Sequence, residues 1–297
     1  MIPLKKLVEV QQQLNELRAS VNSTIDCISN NINVVLNDLP PVLLPTLDNT
    51  IAAIVSLRST LDSDVNMAIN SIAKHINKRG GQLTVNMSSH NELANCYPMS
   101  DRTKQTISGV LSRYLSWQYP ALEIGASSES IINLLQHAQP LTVANNNNDA
   151  ITALVNRLPT DQAQNRIIRY ITQDHNILPL PLGQHSLIFS WNFLNYCTVD
   201  VVEQYLSQCF QLLRPGGAVI FSFNNCIYPY CAELAENKIM HYATTEEITA
   251  ICHRIGFVVK STEWIEQHVT WAEIVKPGVL STMKVHPVIG TIKNTFE

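Results

Sequence analysis

From about residue 120 to residue 275 the chain alternates two kinds of apolar pattern, and this limits its fold more than any other feature. Short apolar runs read as buried strands: "PALEIG" (120–125), "LTVAN" (141–145), "RIIRYITQD" (166–174), "HSLIFSWNFL" (185–194) and "AVIFSF" (218–223). Stretches of helical period lie between them: "SSESIINLLQHA" (127–138), "DAITALVNRL" (149–158) and "VDVVEQYLSQCFQLL" (199–213). A helix over 101–117 precedes the first strand, and "RPGG" (214–217) reads as a turn into the fifth. "TTEEITAICHRIG" (244–256) is a capped helix, with Thr244 or Thr245 as N-cap, Glu246 and Glu247 in the first turn and Gly256 as C-cap. "FVVKSTEW" (257–264) and "HVTWAEIV" (268–275) are joined tightly enough to be antiparallel. Such alternation predicts an α/β fold: a doubly wound, Rossmann-like, mostly parallel sheet with an antiparallel final strand.

The first 80 residues follow a different rule. Leu7, Leu14, Val21, Ile28 and Val35 form one seven-residue series, and Leu4, Gln11, Arg18, Ile25, Ile32 and Leu39 form the other. Steps of three and four are the a/d pattern of a coiled coil. Pro40, Pro41 and Pro45 stop the helix. A second helical pattern follows at Leu47, Ile51, Ile54, Arg58, Leu61, Val65, Ala68 and Ile72, ending before Gly80 and Gly81. Two arrangements fit these stripes. One is a self-associating stalk over 4–39, with β-branched Ile25, Ile28, Ile32 and Val35 favouring a parallel trimer. The other is a closed hairpin folded at the prolines. The expected organisation is a helical region over 1–80, a linker over 81–100 and an α/β domain over 101–297.

Charged residues make up only 15%, and Asn, Ser, Thr and Gln supply the polarity instead. A net charge of −4 argues against general nucleic-acid binding. No apolar run reaches the roughly 18 residues of a membrane span, and Glu9 with the glutamines after it interrupts any signal-peptide pattern. The seven cysteines include no CxxC pair, so the expectation is reduced thiols, a cytoplasmic setting and no structural metal.

In a sheet of this kind a ligand sits beyond the carboxyl ends of the strands, at the switch point. The residues there are Glu123, Gly125, Ala126 and Ser127 after the first strand, Asn145 after the second and Asp174 after the third. The small side chains of Ala126, Ser127 and Ser128 let the backbone of that loop approach a ligand closely. Polar and aromatic residues near the mouth, His175, Asn192, Tyr196, Asn224, Asn225 and Tyr228, form no recognisable base–nucleophile motif. No P-loop or nucleophile elbow is present.

With "LEIGAS", "YITQDHNILPLPLGQHSLIFSWNFLNY", "LLRPGGAVIFS" and "YATTEEITAICHRIGF" in this order, residues 100–275 resemble the class I S-adenosylmethionine-dependent methyltransferases. The resemblance implies that S-adenosylmethionine is the cofactor. It places Glu123 and Gly125 at the amino-acid end of that cofactor and Asp174 at its adenine side, with His175 beside it and Ile177 near the ring. Asn192, Tyr196, Asn224, Asn225 and Tyr228 become candidates to meet the methyl acceptor. The sequence departs from the family where Ser127 and Glu129 replace glycines, where Asn145 replaces the ribose-binding acid, and at Ser186, where a fourth-strand Asp is common. Trp117, just before the first strand, fits either a lid or the core. Two functions remain open: a methyltransferase on an oligomerising stalk, or an assembly protein that keeps the fold without the chemistry. Long, uncharged, Asn- and Ser-rich helices resemble segments of phage tail and fibre proteins, and on that second reading the setting is a virion with structural assembly partners.

Overall fold

The seven-residue repeats become two long helices, α1 (Leu4–Leu36) and α2 (Leu44–Gly80). In the computed structural model, residues 3–36, 44–80, 100–116, 118–125, 140–157, 167–172, 175–266 and 269–278 are described. Residues 1–82 and 83–297 form two compact units.

In the first unit α1 and α2 pack against each other. Arg18 donates to Asn66, Asn22 to Asp62 (3.3 Å) and Arg58 to Asp26 (2.7 Å). The partners advance along α1 as they retreat along α2, so the pair is an antiparallel hairpin. Pro45 falls in the first turn of α2, where its missing N–H costs nothing. Most of the expected series lines the covered face: Leu4 is buried, and Leu7, Leu14, Val21 and Ile25 on α1 and Ile51, Ile54, Val65 and Ile72 on α2 are half-buried, but the series departs at Ile28 and Leu61. Ile28 is 41% exposed and Leu61 39%, while Ser29, Asp62 and Ile69 are half-buried instead. A straight helix turns every 3.6 residues and a heptad every 3.5, so a stripe must migrate unless the helices supercoil.

In the second unit the elements are α3 (Asp101–Leu111), β1 (Ala121–Ile124), β2 (Leu141–Asn145), α4 (Asn148–Arg157), β3 (Ile167–Ile171), β4 (His185–Ser190), α5 (Val199–Leu212), β5 (Leu213–Phe223), α6 (Pro229–Glu236), α7 (Thr245–Ile255), β6 (Val258–Glu266) and β7 (Val269–Val275). The sheet order is β3-β2-β1-β4-β5-β7-β6. β1 to β5 pair in parallel, and β7 runs antiparallel between β5 and β6. This is the expected Rossmann-like sheet with its antiparallel final strand.

Both faces of the sheet are covered, which is why its strands read as continuous apolar runs rather than alternating ones. On one face Ile124, Ile188 and Phe221 pack with Leu206 of α5 and Ile251 of α7. On the other, Val143, Phe189 and Trp271 pack with Ile107 and Leu111 of α3. A fully buried aliphatic or aromatic side chain contributes about 1.5–3 kcal/mol. Thr244 caps α7 by accepting from Glu247 N, and Gly256 ends it in the left-handed conformation at φ 106°. Lys276 donates to the carbonyls of Phe210 (2.7 Å) and Leu213 (2.8 Å), satisfying the end of α5.

Two boundaries differ from the sequence reading. The helix expected to reach Trp117 ends at Leu111, and Tyr114 turns back to donate to Glu273 on β7. Trp117 itself lies outside the described residues, as does the helix expected over 127–138. "RPGG" is no separate turn: β5 starts at Leu213, runs through it and shifts register against β4 between His185 and Leu187. A Cβ on Gly217 would stand 2.9 Å from the His185 carbonyl, so this irregular crossing needs glycine.

Candidate functional site

β1 lies between β2 and β4, so the chain's direction of winding reverses beside it. The crevice beyond the carboxyl ends of β1 and β4 is therefore the ligand position of a doubly wound sheet.

Glu123 is fully buried on β1. Gly125 follows the strand at φ 106°, and its N–H continues the ladder to the Ala144 carbonyl at 2.8 Å. A Cβ here would come 2.8 Å from the Phe193 Cβ. Glycine is thus required twice, for the backbone angle and for the close approach of the loop after β4. Ala126, Ser127 and Asp174 lie outside the described residues.

Asn145 ends β2 and is 8% exposed. Its Oδ1 accepts the Asn147 amide at 2.9 Å, and its carbonyl accepts the Thr172 amide, also at 2.9 Å. The carboxamide oxygen thus serves its own loop, and the Nδ2 amide remains as the group able to meet a hydroxyl.

His175 and Ile177 follow β3. His175 holds φ 59°, and its Nδ1 lies 3.3 Å from the Tyr205 hydroxyl. Burial pushes the Tyr205 phenol up from its ordinary pKa. Ile177 is fully buried. Gln208 of α5 spans the same loop: its Oε1 accepts the Ile177 amide at 2.6 Å and its Nε2 donates to the His175 carbonyl at 2.9 Å.

After β4, Asn192 holds φ 50° and its amide donates to Ser222 Oγ at 2.8 Å. Ser222 in turn donates to Asn195 Oδ1 at 2.9 Å. His175, Asn192 and Lys238 are the non-glycine residues with positive φ among those described. The first two flank the crevice, where strained backbone commonly marks function. At the end of β4, Ser190 Oγ is buried with no partner among the described residues, so a polar group there is left for a ligand or water.

The acceptor candidates separate. Asn192 is half-buried at the mouth. Tyr196 is 1% exposed and packs with Leu234 and Met240. Asn224 donates from Nδ2 to the carbonyls of Cys231 (3.1 Å) and His241 (3.0 Å). Asn225 bonds Thr245 through both ends of its amide, at 2.7 and 3.2 Å. Both asparagines are 1% exposed and hold the loops after β5 together. Tyr228 is half-buried at the N-cap of α6, with its phenol pKa raised by burial. Ser186 is buried in the first turn of β4's ladder, at its amino end, and so lies away from the crevice.

Sequence reasoning passed over Phe193, Tyr205, Gln208 and Ser222, which shape the loops. Tyr205 and Gln208 stand three apart on α5 and so share a face; that spacing was the available signal. His241 was also missed. It is half-buried, and burial holds its imidazole below the ordinary pKa. Its amide donates to the Asn195 carbonyl at 2.9 Å. Among the described residues no three His, Cys, Asp or Glu side chains group to hold a metal ion, and no helix is long and apolar enough to cross a membrane.

Residues 122–221, which run from β1 through β5, match a family model described as a methyltransferase domain. No curated protein matches the chain. Among solved structures, the chain is similar to geranyl diphosphate C-methyltransferase from Streptomyces coelicolor A3(2), in complex with Mg2+, geranyl diphosphate and S-adenosyl-L-homocysteine. The TM-score is 0.49 at 7% identity, covering 60% of this chain and 81% of that one. It is also similar to a putative sarcosine dimethylglycine methyltransferase from Galdieria sulphuraria, with TM-score 0.48, 14% identity and coverage of 59% and 86%. An S-adenosylmethionine-dependent methyltransferase from Mesorhizobium loti gives TM-score 0.45, 14% identity and coverage of 57% and 96%.

Proposed function

We propose that the α/β unit binds S-adenosylmethionine across the carboxyl ends of β1, β2 and β3 and transfers its methyl group to an acceptor held at the ends of β4 and β5. The observation that carries this reading is the methyltransferase-domain match over 122–221, which spans the five parallel strands that build the crevice. The residues present fit such a cofactor. Gly125 leaves the first loop without a Cβ, Asn145 offers an amide to a ribose hydroxyl, and Ser190 leaves a buried hydroxyl unused at the crevice.

When bound, S-adenosylmethionine supplies an electrophilic methyl group. The chain's own part is then to position and to exclude water, since in-line displacement depends chiefly on holding the two reactants in line. Glu123 and Gly125 define the amino-acid end, Asn145 the ribose, and the loop at 174–177 the adenine side. Asn192, held by Ser222, faces the acceptor side. Titration of S-adenosylhomocysteine into the intact protein, followed by calorimetry, tests this reading: saturable binding supports it, and no binding by folded protein refutes it.

A second reading, an assembly protein with an inactive fold, is favoured by one observation: Asn145 is a neutral amide, so the ribose would lose its usual charged acceptor, and the amide oxygen already accepts from Asn147. For the helical unit we propose self-association. The hairpin leaves Val10 (43%), Leu17 (57%) and Ile28 (41%) exposed on α1. These three recur within about 20° of one another around a 3.6-residue helix, as one stripe beside the intramolecular seam.

A further inference from the structure

We propose that Gln208, on α5, is a positioning residue for cofactor binding: its side-chain amide sets the conformation of the loop after β3 that receives the nucleoside end. This rests on the cofactor reading above and extends it to a helix that does not itself reach the crevice.

The geometry is that of a two-point clamp. The amide of Gln208 engages a donor and an acceptor on the same three-residue segment, Ile177 N at 2.6 Å and His175 O at 2.9 Å. Gln208 is 5% exposed and Ile177 is fully buried, so water cannot replace the contact at Ile177. A buried amide or carbonyl left unpaired is expensive, so the segment is held wherever Gln208 holds it. What it holds is strained. His175 has φ 59°, a region that non-glycine residues enter at a cost and keep only when their surroundings impose it.

Tyr205, one turn earlier on α5, completes the support. Its hydroxyl lies 3.3 Å from His175 Nδ1, and the two rings meet edge to face at 5.6 Å. The same phenol ring meets Phe193 edge to face, also at 5.6 Å. Phe193 in turn is the side chain that a Cβ on Gly125 would strike. Adjacent turns of one helix therefore support the loop after β3 directly and the loop after β1 through Phe193. A buried glutamine that merely fills the core has no reason to bond the carbonyl of a strained residue at the mouth of the sheet.

The test uses the full-length chain with two probes, S-adenosylhomocysteine and adenosine, titrated into the parent, Gln208→Leu and Gln208→Glu, with hydrogen exchange at the Ile177 amide. Gln208→Leu removes both hydrogen bonds. It is expected to speed exchange at Ile177 and to weaken both probes by the same factor, about 10-fold, because the loop serves the nucleoside they share. Gln208→Glu keeps an acceptor for Ile177 N and loses the donor to His175 O, so an intermediate loss is expected. That variant decides the matter if Gln208→Leu does not fold. A merely structural role would lower the melting temperature and leave both affinities at the parent value. Faster exchange at Ile177 with unchanged affinities would overturn the clamp alone. A folded parent that binds neither probe would overturn the cofactor reading and the clamp with it.

Discussion

Gly125 carries two constraints at once, and they come apart by mutation. Its φ of 106° disfavours any side chain, and its Cβ position is 2.8 Å from that of Phe193. Gly125→Ala should destabilise the fold by about 1–3 kcal/mol, read from urea unfolding. Adding Phe193→Gly should remove the contact but keep the backbone cost, so the double variant should not return to the stability of Phe193→Gly alone. Asn145 makes a second residue-scale case. Asn145→Asp keeps an oxygen for the Asn147 amide and adds a charged acceptor for a ribose hydroxyl, so it should tighten S-adenosylhomocysteine by about 10-fold. Unchanged affinity by calorimetry would remove the ribose from this strand end. The strand-end positions of Glu123, Gly125 and Asn145 were legible because the apolar runs that mark β1 and β2 stop beside them. Phe193 and Gln208 were not, because their partners lie in other loops and only the folded chain brings them together. Asn224 and Asn225 show the converse. Two adjacent asparagines after a strand fit a binding loop or an ordinary one, and their amides answer the backbone and caps of their own loops.

At the scale of elements, caps and periodicity were the legible part. Thr244 caps α7 as its sequence implies, and Thr244→Ala should cost about 1 kcal/mol, measured by thermal or urea unfolding. The irregular crossing of β5 was not legible, because "RPGG" has turn composition and only the neighbouring strand turns it into a bulge. The local departures of the stripe at Ile28 and Leu61 were hidden for a similar reason. Heptad spacing tolerates either side of a 3.5-residue repeat, and the choice of Asp62 over Leu61 follows from Asn22 across the hairpin. His185 adds a pH dependence at the start of β4. Burial lowers its pKa, outweighing the contact of its Nδ1 with the Leu212 carbonyl. The folded state therefore binds fewer protons than the unfolded state once the pH falls below about 6.5, and stability must fall with pH there. A variant His185→Phe that folds should show a flatter acid limb than the parent in unfolding measured from pH 7 downward.

For the whole molecule, the sequence left a stalk and a hairpin open, and α1 and α2 pair as a hairpin within their own unit. Self-association is then a matter of the outer stripe. Sedimentation equilibrium should find the intact chain oligomeric and a truncation beginning at Gln82 monomeric, with Leu17→Asn shifting the intact chain towards monomer. A monomeric intact chain at micromolar concentration would rule out this self-association, and with it most of the case for an assembly role. The central claim concerns the other unit: that a sheet matched by a methyltransferase family over 122–221 still holds the cofactor despite the loss of two loop glycines and the ribose acid. Calorimetric titration of S-adenosylhomocysteine into the intact protein tests it most directly. The expected result is saturable binding at one site per chain, tightened by Asn145→Asp. Absence of binding heat at several temperatures, in protein shown by its cooperative unfolding to be folded, would contradict it.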